Sequence, residues 1–155
     1  MPKEVKYGYL RGPRMIVKAW PIAASQVFHD RGGKFVILDT NDRVDIADSG
    51  NAQIEGWAES PSGQGLAAGF TSSATAGADS AEVDVSELSL YRVPADADPA
   101  NTRGETCDLI VTTNIQYADV GESNEDVIQI LDLDTADDTV DVRMTSRLMA
   151  VAGVV

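Results

Sequence analysis

Apolar residues in this sequence recur mainly at every second position, in short runs separated by turn-forming residues. Val140, Val142 and Met144 alternate with polar residues in "TVDVRMTS", and Val44–Ala47 ("VDIA") alternates in the same way. A period of two places the apolar side chains on one face of a β-strand. No segment longer than about ten residues shows a helical period, and the best helix candidate, Ala23–Asp30, is short. The pattern predicts an all-β class, namely a small antiparallel β-barrel or sandwich domain with an extended N-terminal arm and long loops.

The strand candidates follow from β-prone composition bounded by turn signals. In chain order they are "RMIVKAW" stopped by Pro21, Phe35–Leu38, Val44–Ala47, a strand beginning at Ile54, Glu82–Pro94, Asp108–Val120, Val127–Asp134 and Thr139–Ser146. The second, third and fourth candidates predict a meander, and the last two predict a hairpin. Within Glu82–Pro94 the predicted core residues are Val83, Val85, Leu88 and Leu90.

A chain of 155 residues is most simply one domain. We expect an extended basic arm at residues 1–14 and one β-rich domain at residues 15–155. A small-residue segment at 60–80 is either a long ordered loop or a partly mobile insertion. Cys107 is the single cysteine, so no internal disulfide is expected, in keeping with a reducing compartment. Neither a signal peptide nor a membrane span is predicted, since the apolar tail Leu148–Val155 is too short to cross a bilayer.

The formal charge of −13 is unevenly distributed along the chain. Residues 1–38 hold seven Lys/Arg and two acids, whereas residues 39–155 hold five Lys/Arg and 23 acids. Such a division favours a basic segment that faces an acidic partner and an acidic body that faces solvent. The acidic body argues against a nucleic-acid groove, which requires a concentrated positive surface.

Two acidic segments are candidate loops for binding a cation. An EF-hand loop starting at Asp39 in "DTNDRVD" would need an oxygen ligand at position five and glycine at position six, where Arg43 and Val44 stand. A hairpin turn is therefore the favoured interpretation. Asp132–Asp141 ("DLDTADDTVD") has no glycine, so a solvated hairpin tip is favoured there, with a bound cation as the alternative.

The remaining candidate chemistry favours structural roles. Gly63–Gly69 ("GQGLAAG") lacks the strand and helix that flank a dinucleotide-binding loop. His29 beside Asp30 has no nucleophile motif, and Cys107 has no activating partner in the sequence. We therefore predict that the chain is not an enzyme and has no catalytic, cofactor-binding or metal-binding residues.

Two blocks of the sequence resemble tailed-phage capsid decoration, or cement, proteins. The first is "GGKFVILDTNDRVDIADSGNAQIEGWAES", in which Ile54, Gly56 and Ala58 supply an I-x-G-x-A strand. The second is "CDLIVTTNIQYADVGESNEDVIQILDLDTADDTVDVRMTS", in which Ala118–Gly121 ("ADVG") leads into an acidic hairpin. Together they cover somewhat under half of the chain, in the expected order. The small-residue segment 60–80 and the basic arm depart from the family pattern.

The resemblance implies a structural virion protein on the outer capsid surface, assembled in the host cytoplasm, that stabilises the major capsid protein lattice. Its implied partners are the major capsid protein and further copies of the chain, as a dimer or trimer, without nucleic acid or membrane. The alternative is a virion head-fibre or tail module, or a carbohydrate-binding β-sandwich. The predicted partner-binding residues are the cations and aromatics of the arm and both tryptophans: Lys3, Lys6, Tyr7, Tyr9, Arg11, Arg14, Trp20 and Trp57.

Overall fold

The computed structural model describes residues 5–28, 34–51, 53–59 and 70–145, and this part of the chain is built from β-strands. The strands are β1 (Gly8–Arg11), β2 (Ile16–Pro21), β3 (Val27–Phe28), β4 (Lys34–Leu38), β5 (Val44–Ile46), β6 (Gly56–Ala58), β7 (Phe70–Thr71), β8 (Ser80–Asp84), β9 (Leu90–Pro94), β10 (Thr106–Thr112), β11 (Ile115–Asp119), β12 (Ile128–Asp134) and β13 (Thr139–Met144). They form a six-stranded, a five-stranded and a two-stranded antiparallel sheet, and the two larger sheets pack together in a sandwich-like arrangement. The all-β prediction is confirmed. None of the described residues forms a helix that is long and apolar enough to span a membrane.

The two large sheets contain the same arrangement of five strands. The N-terminal unit comprises β2, β4, β5, β6 and β8, and the C-terminal unit comprises β9 to β13. In each unit the first strand pairs with the fifth, the fifth with the fourth, the fourth with the second and the second with the third, always antiparallel. A single parallel bridge then joins the residue after the first strand to the third strand, Ile22 to Val44 and Ala95 to Ala118. Strand β1 extends the second sheet by pairing with β9, and β3 pairs with β7.

The correspondence between the two units extends to individual hydrogen bonds. The backbone N–H of Ile22 donates to the carbonyl of Asp79 at 2.9 Å, and that of Ala95 donates to the carbonyl of Asp138 at 2.8 Å. Each of these carbonyls immediately precedes the fifth strand of its unit. The units differ at β2, where a one-residue bulge places Ala19 at a φ of 60°.

Each unit has its own apolar core because successive side chains on a strand point to opposite faces. In the N-terminal unit, Val36 and Ala58 point into its own interior, whereas their neighbours Phe35 and Trp57 point towards the C-terminal unit. The first core contains Ile22, Phe28, Val36, Val44, Ala58, Ala81 and Val83. The second is built mainly from Val93, Cys107, Leu109, Ala118, Val127, Ile128, Ile130, Val140, Val142 and Met144.

Aromatic stacking and one buried amide join the two units. The Trp57 and Tyr91 rings stack with centroids 4.6 Å apart, and Phe35 meets Trp57 edge to face at 4.8 Å. Gln116 on β11 accepts a 2.8 Å hydrogen bond from the Phe35 N–H and donates to the carbonyls of Phe35 and Ala47 at 2.9 and 2.8 Å. A buried amide whose donors and acceptor are satisfied in this way fixes the two sheets relative to each other.

Both predicted hairpins are present, but the predicted meander is wrong. Strands β4 and β5 pair around the Asp39–Arg43 turn, and β12 and β13 pair around "TADD". Val140, Val142 and Met144 are all buried, as their alternation predicts. Strand β6, however, pairs with β4 on the side opposite β5, and not with β5.

The single strand predicted at Glu82–Pro94 is two strands in different sheets. Strand β8 ends at Asp84 and β9 begins at Leu90, with a connection between them. Val83 is buried and Val85 and Leu90 are half-buried, but Leu88 is 60% exposed, so its prediction as a core residue is wrong. The alternation continues through a connection where the backbone is no longer extended.

The long strand predicted at Asp108–Val120 is a hairpin of β10 and β11. Thr113 and Asn114 form its two-residue turn with φ values of 51° and 63°. Positive φ at both central residues is the geometry that suits the twist of a tight hairpin. The Thr-Asn pair is a weaker turn signal than Asn-Gly, so the run of β-prone residues obscured the turn.

The helix candidate near the N-terminus is wrong, and the arm pairs with the domain. Val27–Phe28 is strand β3, so the described part of Ala23–Asp30 is not helical. The described part of the predicted arm is extended, and Gly8–Arg11 forms an edge strand that pairs with β9. In the predicted 60–80 loop, residues 60–69 lie outside the described part, and Phe70–Thr71 forms β7.

Candidate interaction surface

Two connections pass side by side at one end of the sandwich and form a surface that we call the crossing corner, residues 12–15 and 85–89. The first leads from β1 to β2 and the second from β8 to β9, so both carry the chain from one sheet to the other. The Val85 N–H donates to the Met15 carbonyl at 2.9 Å, and the Ser89 hydroxyl donates to the Pro13 carbonyl at 2.9 Å. These bonds hold the two connections together.

Gly12 allows the close approach of the two connections. Its φ is 111°, and a Cβ at this position would lie 2.6 Å from the Leu88 carbonyl oxygen. Only glycine adopts such a φ readily and leaves this space. The sequence "RGP" therefore specifies the corner locally.

A buried carboxylate, Asp84, fastens the corner to the core. Its Oδ1 accepts the backbone N–H groups of Met15 and Ser86, each at 3.0 Å, and its Oδ2 accepts the Tyr91 hydroxyl. Burial, and secondly the hydrogen bond to Asp84, raise the pKa of Tyr91 above its usual value, so the phenol remains the donor. Arg14 lies 3.6 Å from the same carboxylate.

Arg14 is engaged within the chain. Its guanidinium lies 4.5 Å from the centroid of the Tyr9 ring and donates to Glu59 at 2.9 Å. Tyr9 packs edge to face on Tyr91 at 6.1 Å, and its hydroxyl donates to the Gly12 carbonyl at 2.6 Å. Both residues were predicted to bind a partner, and in the structure both hold the arm against the rest of the domain.

The other predicted partner-binding residues divide by exposure. Lys6 and Arg11 are exposed on and beside β1, and Tyr7 is half-buried. Trp20 is half-buried on β2, where it packs against the core of the N-terminal unit. Lys3 lies outside the described residues. The structure therefore brings Lys6, Arg11 and Tyr7 to the edge of one sheet and leaves Trp20 in the other.

Trp57 is not available to a partner, which corrects its prediction as a binding residue. Its side chain is 1% exposed and stacks on Tyr91 between the two units. Its indole N–H has no hydrogen-bond partner among the described residues. Trp57 is a core anchor, the other role that a tryptophan at this position favours.

Two exposed apolar side chains at the crossing corner were missed in the sequence. Met15 is 63% exposed and Leu88 is 60% exposed. Met15 lies between a basic residue and a β-prone run, and Leu88 continues an alternating pattern, so neither shows a local signal of exposure. Only the polar pair Ser86–Glu87 indicates that the strand is interrupted before Leu88.

A group of carboxylates, which we call the acidic end, lies where the residues after β9 meet β11 and the connection before β12: Asp96, Asp108, Asp119, Glu122 and Asp126. Asp108 accepts the backbone N–H groups of Glu125 and Asp126 at 2.7 and 2.9 Å, and thus orders the connection before β12. Asp96 accepts the Val120 N–H at 2.9 Å. Burial, and secondly the hydrogen bond to Asp96, raise the pKa of Asp119 to about 6.

Both acidic turns use their carboxylates within the chain. Asp39 accepts the N–H groups of Asn41 and Arg43 at 2.8 and 3.0 Å, which is hairpin-turn chemistry. Asp134 accepts the Ala136 N–H at 2.9 Å, and Asp141 pairs with Arg92 at 2.8 Å. Among the described residues, no group of three or more His, Cys, Asp or Glu is placed to hold a metal ion.

Cys107 and one small cleft complete the candidate chemistry. Cys107 is 1% exposed, and burial followed by the charge of Asp108 raises its pKa to about 12, so the thiol is protonated. A cleft of about 190 Å³ lies between β5 and the β10–β11 turn, lined in part by Gln26, Asp48 and Asn114. It is smaller than the roughly 300 Å³ of the smallest usual ligand pockets. Gln26 and Asp48 already accept backbone N–H groups there. His29 and Gly63–Gly69 lie outside the described residues.

No protein-family model, curated protein or solved structure matches this chain.

Proposed function

We propose that this chain is a structural, non-enzymatic virion protein that binds the outer surface of a phage capsid and stabilises the lattice of the major capsid protein. The sequence blocks at 32–60 and 107–146 that resemble capsid decoration proteins support the proposal. The sandwich-like β fold is compatible with such a role, although a fold by itself does not define a function.

The observation that carries the proposal is the separation of two different surfaces along β9. Strand β9 runs from the crossing corner at Leu90 towards the acidic end, which begins at Asp96. Five strand residues span about 17 Å, so Asp96 and the crossing corner lie at opposite ends of β9. Such a molecule can place one end on a lattice and direct a negatively charged end to solvent.

Strand β1 offers a means of attachment beside the corner. It is an edge strand, paired only with β9 among the described strands, and Lys6 and Arg11 are exposed along it. An unpaired strand edge presents backbone donors and acceptors to an extended segment of a partner. Exposed cations at that edge would steer an acidic partner surface towards it.

Capsid binding by the purified chain tests the proposal. Cosedimentation with undecorated capsids of the phage that encodes the chain should be saturable, and calorimetry should show a higher temperature of capsid rupture. The double variant Lys6→Glu/Arg11→Glu should bind at least about tenfold more weakly, because rim charges govern electrostatic attraction. The matched control Lys18→Glu/Arg43→Glu makes the same charge change in the other sheet, on β2 and in the β4–β5 turn.

The absence of saturable capsid binding would overturn the proposal. Equal loss of affinity in both double variants would show that only net charge matters, and would exclude β1 as the attachment edge. The carbohydrate-binding alternative loses its main anchor, because Trp57 is buried and cannot stack on a sugar.

A further inference from the structure

Strands β2 and β9 hold the same place in the two units, and their registers match except at one residue. The corresponding pairs are Pro21–Ser80 and Pro94–Thr139 at one end, and Val17–Val83 and Tyr91–Val142 further along. Three residues stand between Pro21 and Val17, whereas two stand between Pro94 and Tyr91. The additional residue lies in the bulge of β2, where Ala19 has a φ of 60°.

In the C-terminal unit another strand pairs with the edge of β9 that faces away from β13. The Ala95 N–H donates to the Asp138 carbonyl, so Ala95 directs its backbone groups towards β13. Successive residues of an antiparallel strand direct these groups to opposite sides. Arg92, three residues earlier, therefore faces away from β13, and it pairs with Gly8 of β1.

The matching edge of β2 has no such partner among the described strands. The Met15 carbonyl accepts the Val85 N–H, so Met15 faces the β8 side. By the same alternation, Ile16 and Lys18 direct their backbone groups away from β8. Lys18 and Ala19 are both exposed.

The bulge is not needed to close the N-terminal unit. The C-terminal unit forms the same parallel bridge, Ala95 to Ala118, from a strand without a bulge at this place. An alanine at positive φ is also strained, because its Cβ approaches the backbone. Strain of this kind persists where the surrounding structure imposes it, and it points to a role for the bulge other than closure.

We propose that the bulge at Ala19, together with the exposed cation of Lys18, closes the β2 edge to strand addition by a second copy of the chain. A straight, unpaired edge is a template for pairing with another strand, and bulges and lysines are devices that prevent it. Without them, two β2 edges can pair about a two-fold axis, since an antiparallel pair of identical strands is self-complementary. The inference concerns the protein alone and does not depend on capsid binding.

Amide hydrogen exchange in the unaltered protein tests whether the edge is free. The Lys18 N–H should exchange at least about tenfold faster than the Arg92 N–H, because only Arg92 faces a neighbouring strand on that side. Equal protection of the two amides would show that the β2 edge is already paired, and would overturn the proposal.

Removing the bulge tests what it prevents. The variant that lacks Ala19 and carries Lys18→Thr should dimerise in sedimentation velocity, with a Kd at least about tenfold lower than that of the control. The control Ala19→Gly/Lys18→Thr makes the same charge change and keeps the bulge, because glycine adopts a positive φ readily. Urea unfolding shows whether both variants are folded, and the exchange measurement does not depend on either.

Two results with the variants would overturn the proposal. A folded deletion variant that stays as monomeric as the control would show that the bulge does not guard the edge. Equal dimerisation of the two variants would assign the protection to the charge of Lys18 alone.

Discussion

Asp84 is the residue whose removal should most clearly separate the forces that hold the crossing corner. It is fully buried and accepts hydrogen bonds from the Tyr91 hydroxyl and from the N–H groups of Met15 and Ser86. Asp84→Ala leaves these three donors without their acceptor. A buried donor left unsatisfied costs about 1–3 kcal/mol. With the two backbone groups at the lower limit, the expected loss in free energy of unfolding is about 3–5 kcal/mol.

The ion pair with Arg14 contributes little to that loss. The separation is 3.6 Å and the Arg14 side chain is 32% exposed, so solvent screens the attraction to below about 1 kcal/mol. Asp84→Asn discriminates between the two contributions, because its amide oxygen can still accept both N–H groups and the Tyr91 hydroxyl can accept from its NH₂. We expect Asp84→Asn to lose about 1 kcal/mol.

Urea unfolding monitored by Trp57 fluorescence measures both variants, since this indole is buried beside Tyr91. The matched variant Tyr91→Phe removes one donor and should lose about 1–2 kcal/mol. If Asp84→Ala and Asp84→Asn differ by less than about 0.5 kcal/mol, the hydrogen-bond acceptors are not what stabilises the corner.

Three further outcomes follow from the geometry. Gly12→Ala should lower the free energy of unfolding by about 2 kcal/mol or more in urea, because a Cβ would clash with the Leu88 carbonyl. The control Gly104→Ala, at a φ of 90° with no atom within 4 Å of the added Cβ, should lower it by only about 1 kcal/mol. Equal losses would contradict the steric argument. Cys107 should react with a thiol reagent at pH 8 only after urea unfolding, because its pKa is raised to about 12, and rapid native-state labelling would refute its burial. The pKa of Asp119 is about 6 in the folded protein, above its ordinary 3.8, so the native state binds more protons than the unfolded state between these values. The free energy of unfolding should therefore fall as the pH rises from about 4 to 6. Asp119→Asn should flatten that part of the pH profile, and an unchanged slope would show that Asp119 is not its source.

Local patterns predicted the β4–β5 and β12–β13 hairpins correctly because their determinants lie close together in the chain. Asp39 caps its own turn, and Val140, Val142 and Met144 alternate into one core. The same reasoning wrongly placed Leu88 in the core, because the apolar–polar alternation continues past the end of β8 into the connection to β9. Trp57 shows why the binding residues could not be predicted from the sequence, since an aromatic residue in a short strand is equally suited to a core and to an interface.

The sequence alone determined the all-β class, the concentration of positive charge near the N-terminus and the positions of six strands, namely β2, β4, β5, β6, β12 and β13. These properties depend on periodicity and composition within a few residues. The tertiary structure alone decided that two five-stranded units share one pairing order, that Phe35 and Val36 face different cores, and that Met15 and Leu88 meet solvent at one corner. Strand pairing and the exposure of a sheet face depend on contacts between residues far apart in the chain. Alternation shows that a strand has an apolar and a polar face, but it does not show which element packs on either face.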